Sequence, residues 1–144
     1  MATLEDIRKS LIKREESFQE KELKGLGKSI SKVCTLDKDG NAIFHKKLSE
    51  KDKIKFFLAA RFIARKIEDF FGDIPEEKRI KPEVKKEEIS HLLKRSKAQV
   101  RARLSDLRKD GLIEDIDRNT HKIKSLKIYE IVKELEDEDE RRSP

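Results

Sequence analysis

At 144 residues, with 35% apolar and 46% charged side chains, the chain holds one domain or two small ones around a compact core, with helical faces rich in ion pairs. Its net charge of +6 combines a basic body with an acidic end, residues 126 to 144 carrying four basic against seven acidic side chains, and a basic body favours polyanionic partners such as nucleic acid. No apolar run approaches the roughly 20 residues that span a bilayer, and Met1 to Ser10 are charged where a signal peptide is apolar, so a cytoplasmic protein is expected.

Residues 3 to 24 place Leu4, Ile7, Leu11, Ile12, Phe18 and Leu23 at irregular helical spacings, which predicts one or two helices with a narrow apolar stripe. Gly25 and Gly27 are expected to end them. Ser29 to Leu36 then alternates as a strand does, Asp37-Lys38-Asp39-Gly40-Asn41 reads as a turn, and Ala42 to Lys47 returns to complete a hairpin. The Asp-x-Asp-Gly run also resembles the opening of a calcium loop, but the later ligand positions and closing Glu of an EF-hand are absent. Cys34 has no neighbouring base or helix terminus to lower its pKa and reads as a small buried apolar group. Residues 1 to 48 are thus an N-terminal helical and β-hairpin extension.

Ser49, with Asp52 placed to follow it as in a capping box, opens the most apolar helix of the chain, Lys53 to Phe71, which carries five of the seven Phe. Phe56, Phe57, Ala60, Ile63, Ala64, Ile67, Phe70 and Phe71 cover one broad face, and Ile54, Leu58 and Phe62 much of the other. Burial on most sides follows. Gly72 to Lys85, with Pro75 and Pro82, forms a connection in which Glu83 and Val84 supply a short strand.

A helix is then predicted over Lys86 to Lys94, with Ile89, Leu92 and Leu93 on one face and His91 at the surface. Lys94 and Arg95 make a turn, Ser96 and Gln99 form a capping box, and the next helix runs to Asp110, where Gly111 closes it. Val100, Leu104 and Leu107 give that helix a buried stripe, while Lys97, Arg101, Ser105 and Arg108 line one flank. From Lys94 to Lys109 seven Lys and Arg stand against one acid, Asp106. Leu112 to Ile116, a turn at Asp117 to Thr120, and His121 to Leu126 predict a second hairpin with Arg118 and Lys122 at its tip. The last helix, about Leu126 to Leu135, has Tyr129 and Val132 on one side and Ile128, Ile131 and Leu135 on another. Two apolar sides suit a helix sandwiched against a second subunit, and equally one folded into its own core. Glu134 to Glu140 is expected to be disordered.

Glu88 to Ile113 resembles the helix-turn-helix core of bacterial and archaeal winged-helix transcription regulators, most specifically in Leu104, Leu107, Gly111, Leu112 and Ile113. Those families place Gly and then an apolar residue in the turn where this chain has Lys94 and Arg95, a change that costs roughly 1 kcal/mol if positive φ is required. The resemblance implies an α+β, mainly helical fold over 49 to 126: a winged helix-turn-helix with its core helix at 53–71, helix-turn-helix at 86–110 and wing at 112–126. It implies duplex DNA as partner, the helix at 97–110 entering the major groove. Lys97, Gln99, Arg101 and Ser105 are then base-edge or phosphate candidates, Ser96 and Arg108 flank them, and Arg95, Arg118 and Lys122 hold the backbone. His121, beside the tip, is a further phosphate candidate. A protein-docking adaptor and an RNA-binding protein are the alternatives, and a homodimer through the last helix follows if two half-sites are read. His45, His91 and His121 are isolated in sequence, and no Cys-x-x-Cys, His-Glu-x-x-His or phosphate-binding Gly-rich loop occurs, so neither an enzyme, a cofactor, a metal site nor a small-molecule ligand is expected.

Overall fold

The computed structural model describes residues 2–11 and 18–142, so Ile12 of the expected N-terminal stripe lies outside the described residues. In chain order the elements are α1 (Leu4–Leu11), α2 (Glu20–Ile30), β1 (Cys34–Leu36), β2 (Ala42–Phe44), α3 (Glu50–Phe71), β3 (Val84–Lys85), α4 (Lys86–Leu93), α5 (Lys97–Lys109), β4 (Ile113–Asp117), β5 (Thr120–Ile123) and α6 (Ile128–Arg142). Short 3-10 turns sit at Glu76–Lys78 and Ser125–Lys127. The protein is α+β and mainly helical, with two small antiparallel sheets.

The long helix α3 is the centre around which the others pack. Ser49 caps it by accepting from the Asp52 amide at 3.2 Å, and Gly72 closes it in the left-handed conformation. Its residues Ile54, Leu58, Phe62 and Ile63 are all but fully buried among Ile89, Leu104, Leu107, Ile113, Ile123, Ile128 and Ile131. Phe70 and Phe71, expected in the buried face, are instead 50% and 68% exposed. Burial fades along α3 from residue 64 onward, so the last turn outruns the elements packed on the helix.

Three expectations at the two ends of the chain need correction. Gly25 and Gly27 lie inside α2 rather than ending it. A Cβ at Gly27 would meet Ile67 Cδ1 of α3 at 3.3 Å, so the missing side chain lets the two helices approach. Burial of Leu23, Leu26 and Ile30 offsets the roughly 1 kcal/mol that each helical glycine costs. The strand expected from Ser29 is correspondingly reduced to Cys34–Leu36, pairing with β2 in the register Cys34 opposite Phe44. At the other end, the acidic run expected to be disordered is helical, α6 continuing to Arg142.

The reason α6 persists is that it folds onto α2 and α3. Ile128, Ile131, Val132 and Leu135 are buried together, where the sequence had divided Val132 from the other three. Two of the acids are also matched: Glu134 accepts from Lys55 Nζ at 3.0 Å, and Glu136 from the Ser29 hydroxyl at 2.9 Å. Phe18 stacks on Tyr129 and meets Phe62 edge-on, both with ring centroids 5.6 Å apart. The chain's own core thus covers the apolar stripe of this helix, while Tyr129 stays 45% exposed.

The three-stranded sheet has the order β3-β5-β4. Val84 stands opposite His121 and Ile113 opposite Ile123, with a bulge between Asp115 and Asp117. The N-terminal hairpin lies against α3, tied there by Arg61. Arg61 is only 5% exposed. It donates to the carbonyls of Gly40 at 3.0 Å, Lys81 at 2.6 Å and Glu83 at 3.2 Å, and its Nη1 lies 3.4 Å from Glu88 Oε1. Gly40 sits at φ 86, and a Cβ there would come within 3.0 Å of the guanidinium, so both conformation and space require glycine.

Candidate nucleic-acid interface

Local sequence sets the α4–α5 corner. Lys94 takes φ 55 and ψ 45, alone among described non-glycine residues in having a positive φ, and caps α4 where a glycine would be less strained. The Ser90 hydroxyl donates to the Arg95 carbonyl, fixing the second turn residue. Ser96 accepts from the Gln99 amide at 3.3 Å while Gln99 Oε1 accepts from the Ser96 amide at 3.2 Å, the expected reciprocal cap. Val100, Leu104 and Leu107 are buried, and Gly111 leaves α5 at φ 74.

With that stripe buried, the basic flank of α5 faces out, and much of it is matched by acids. Arg95 pairs with Glu50 at 3.2 Å, Lys97 with Glu87 at 3.5 Å and Arg103 with Asp106 at 3.6 Å. Arg108 holds both oxygens of Asp115, at 2.7 and 3.2 Å. Among the described residues Lys94, Arg101 and Lys109 have no carboxylate within ion-pair distance. Ser105 is half-buried, and the Ser96 and Gln99 oxygens serve the cap.

Arg101, Arg108 and Arg118 meet around a cleft of about 450 Å³ between α5 and the β4–β5 turn. A fourth cation, Lys86, also lines it, and sequence reasoning missed it. Lys86 is 7% exposed, its ammonium donating to the Arg118 carbonyl at 3.0 Å and its amide to the Asn119 carbonyl at 2.8 Å, so it fastens the hairpin turn to the start of α4. Nothing local marks it, because its burial depends on a turn more than thirty residues away.

Asp115 and Asp117 border the same cleft. The Arg108 guanidinium, and then the His121 imidazole, hold the Asp115 carboxyl below the ordinary aspartate range, and Asp115 in turn holds Arg108 upward. Asp117 is held down chiefly by the Asn119 amide, which donates to it at 2.8 Å.

Two expected contacts are withdrawn. Lys122 is 9% exposed, its ammonium 5.7 Å from the centre of the Phe62 ring, and is not at the hairpin tip. His121 is 1% exposed. Its Nδ1 hydrogen-bonds Asp115 Oδ1 at 2.7 Å, while Nε2 is buried without a hydrogen-bond partner among the described residues. Each is covered by a partner distant in the chain: Val84 of β3 stands opposite His121, and α3 packs on β5 with Phe62 against Lys122. Arg118, in the turn itself, remains exposed.

Asp37 Oδ1 accepts from the amides of Asp39 and Asn41, both at 2.9 Å, so the calcium-like run is a turn that folds on its own carboxylate. Among the described residues no cluster of His, Cys, Asp and Glu is arranged to hold a metal. Cys34 is buried, which pushes its thiol up to about 12. No described helix is long and apolar enough to cross a membrane. Compared with protein-family models, curated proteins and solved structures, the chain matches none.

Proposed function

We propose that the chain is a winged-helix protein that binds duplex DNA, probing the major groove with α5 and the flanking backbone with the β4–β5 hairpin as wing. The element order from α3 to β5 and the strand order β3-β5-β4 are those of a winged helix, which supports the fold half of this reading. The observation that carries the functional half is the convergence of Arg101, Arg108, Arg118 and Lys86 on one cleft between helix and wing.

Roles follow from geometry. Arg101, exposed and without an acidic partner among the described residues, is the residue suited to bidentate contact with guanine, a pair that discriminates by roughly 1 to 3 kcal/mol. Gln99 offers adenine only its amide hydrogens while its oxygen caps the helix, so it reads less well than an unengaged glutamine. The pairs of Arg95 and Lys97 are exposed and screened by solvent, so a phosphate can replace either carboxylate.

The second reading is a protein-docking winged helix, favoured by the acids matched to Arg95, Lys97, Arg103 and Arg108. Fluorescence anisotropy with random-sequence duplex DNA across a salt series separates the two. Contact with four to six phosphates gives log K against log salt a slope of roughly −4 to −5. Arg95→Ala with Arg101→Ala is expected to flatten it. No binding at low salt would move the assignment to protein docking, and equal preference for duplex RNA, whose deep, narrow major groove does not admit a helix, would move it from α5.

A further inference from the structure

Across the hairpin from the α5 cleft lies a second one, of about 440 Å³, where the N-terminal turn, the 78–85 connection and the end of the three-stranded sheet meet. Its exposed cations are Lys38, Lys78, Lys81 and Lys85. Among the described residues none of these ammonium groups lies within ion-pair distance of a carboxylate, the reverse of the matched pattern along α5. Asp39 and Glu83 also border the cleft, so its positive excess is real but not unopposed. Glu88 is already engaged, by Arg61 and by the Lys85 amide at 2.8 Å.

The two clefts are neighbours. Lys85 and Lys86 are consecutive, yet Lys85 lines the second cleft and Lys86 the first. Lys85 stands opposite Thr120 in the ladder, just past the turn that carries Arg118 of the first cleft, so the two groups of cations meet at the same end of the sheet. The lining holds no aromatic ring, which a platform for unstacked bases needs. Flexible, compact ammonium groups spaced around an open groove suit the phosphates of a continuous backbone.

We infer that this second cleft carries the DNA backbone beyond the wing, so that the N-terminal hairpin and the connection extend the nucleic-acid footprint. The inference rests on the duplex-binding reading above. It also gives the N-terminal extension a role, since its turn delivers Lys38, with Arg61 holding Gly40 and Lys81 in place behind it.

The test measures duplex affinity against salt for the full chain, the variant Arg101→Ala/Arg118→Ala, and the variant Lys38→Gln/Lys78→Gln/Lys81→Gln/Lys85→Gln. Each phosphate contact contributes about 0.9 to the slope, so four further contacts steepen the parent slope from the −4 to −5 of α5 and the wing alone to roughly −8, and the glutamine variant is expected to lose roughly 3 to 4 units of it. Shortening the duplex from about 20 to about 10 base pairs, two turns to one, should weaken the parent chain more than this variant. If the combined variant fails to fold, Lys38→Gln and Lys78→Gln alone should each remove about 0.9. An unchanged slope and length dependence in the glutamine variants, with Arg101→Ala/Arg118→Ala still flattening the parent slope, overturns the inference and leaves duplex binding standing. A parent chain that ignores duplex at low salt overturns both, and glutamine variants that lose inorganic phosphate binding but keep the parent duplex slope reassign the cleft to a small anion and overturn it.

Discussion

Lys94 shows how far single residues were readable. That a turn residue of the α4–α5 corner would need positive φ followed from the resemblance alone, and the residue that takes it is Lys94, at φ 55. Lys94→Gly is therefore expected to stabilise the fold by roughly 0.5 to 1 kcal/mol, read as a higher urea midpoint with unchanged m-value. Asp115 makes a residue-scale prediction of a different kind. Its carboxyl is held below the ordinary value in the folded chain, so its contribution is complete above about pH 4 and is lost as pH falls through the lowered folded value. Replacing it by Asn should remove that part of the acid sensitivity, visible as a smaller fall in urea midpoint between about pH 6 and pH 3. His121 and Lys122 were misplaced for one reason. Nearness to the tip in sequence suggested exposure, whereas burial was decided by partners distant in the chain, Val84 of β3 opposite His121 and Phe62 of α3 against Lys122.

Elements with strong local punctuation were legible. The Ser49 cap, the Ser96–Gln99 box and the Gly111 stop all lie where their spacing puts them, because each is satisfied within one turn of helix. The N-terminal elements were less so. Gly25 and Gly27 look like breakers in sequence, and only contact with α3 distinguishes them. Gly25 has open space where its Cβ would be, while Gly27 faces Ile67. Gly25→Ala is thus expected to raise stability by about 0.5 to 1 kcal/mol. Gly27→Ala should gain clearly less, because the end of the Ile67 side chain must shift to admit the methyl. Thermal melts of the two variants side by side check the difference. The same long-range dependence explains α6, whose acids alone argued for disorder but whose Leu135 is buried and whose Glu134 and Glu136 have partners on α3 and α2.

At the scale of the molecule, the boundary at residue 48 followed from the end of the N-terminal hairpin and the Ser49 helix start, and packing runs across it. α2 covers α3, β1 lies on α3, and α6 closes over both helices. A chain cut to residues 49–142 would expose the α3 face that Leu26, Ile30, Val33 and Cys34 cover. It is expected to melt without a sharp cooperative transition, which circular dichroism on the shortened chain would show. Arg61 binds this arrangement from within, its guanidinium shared between the Gly40 turn and the 81–83 connection. That sharing has a consequence for regulation. A hinge needs a few residues whose rotation leaves other contacts intact, and here rotation of the hairpin against α4 and α5 would strip a buried cation of its acceptors. A signal received at the N-terminal hairpin therefore has no swinging arm to move. An effector that holds the hairpin stabilises the folded chain as a whole, in proportion to how much more tightly it holds the folded form than the unfolded one.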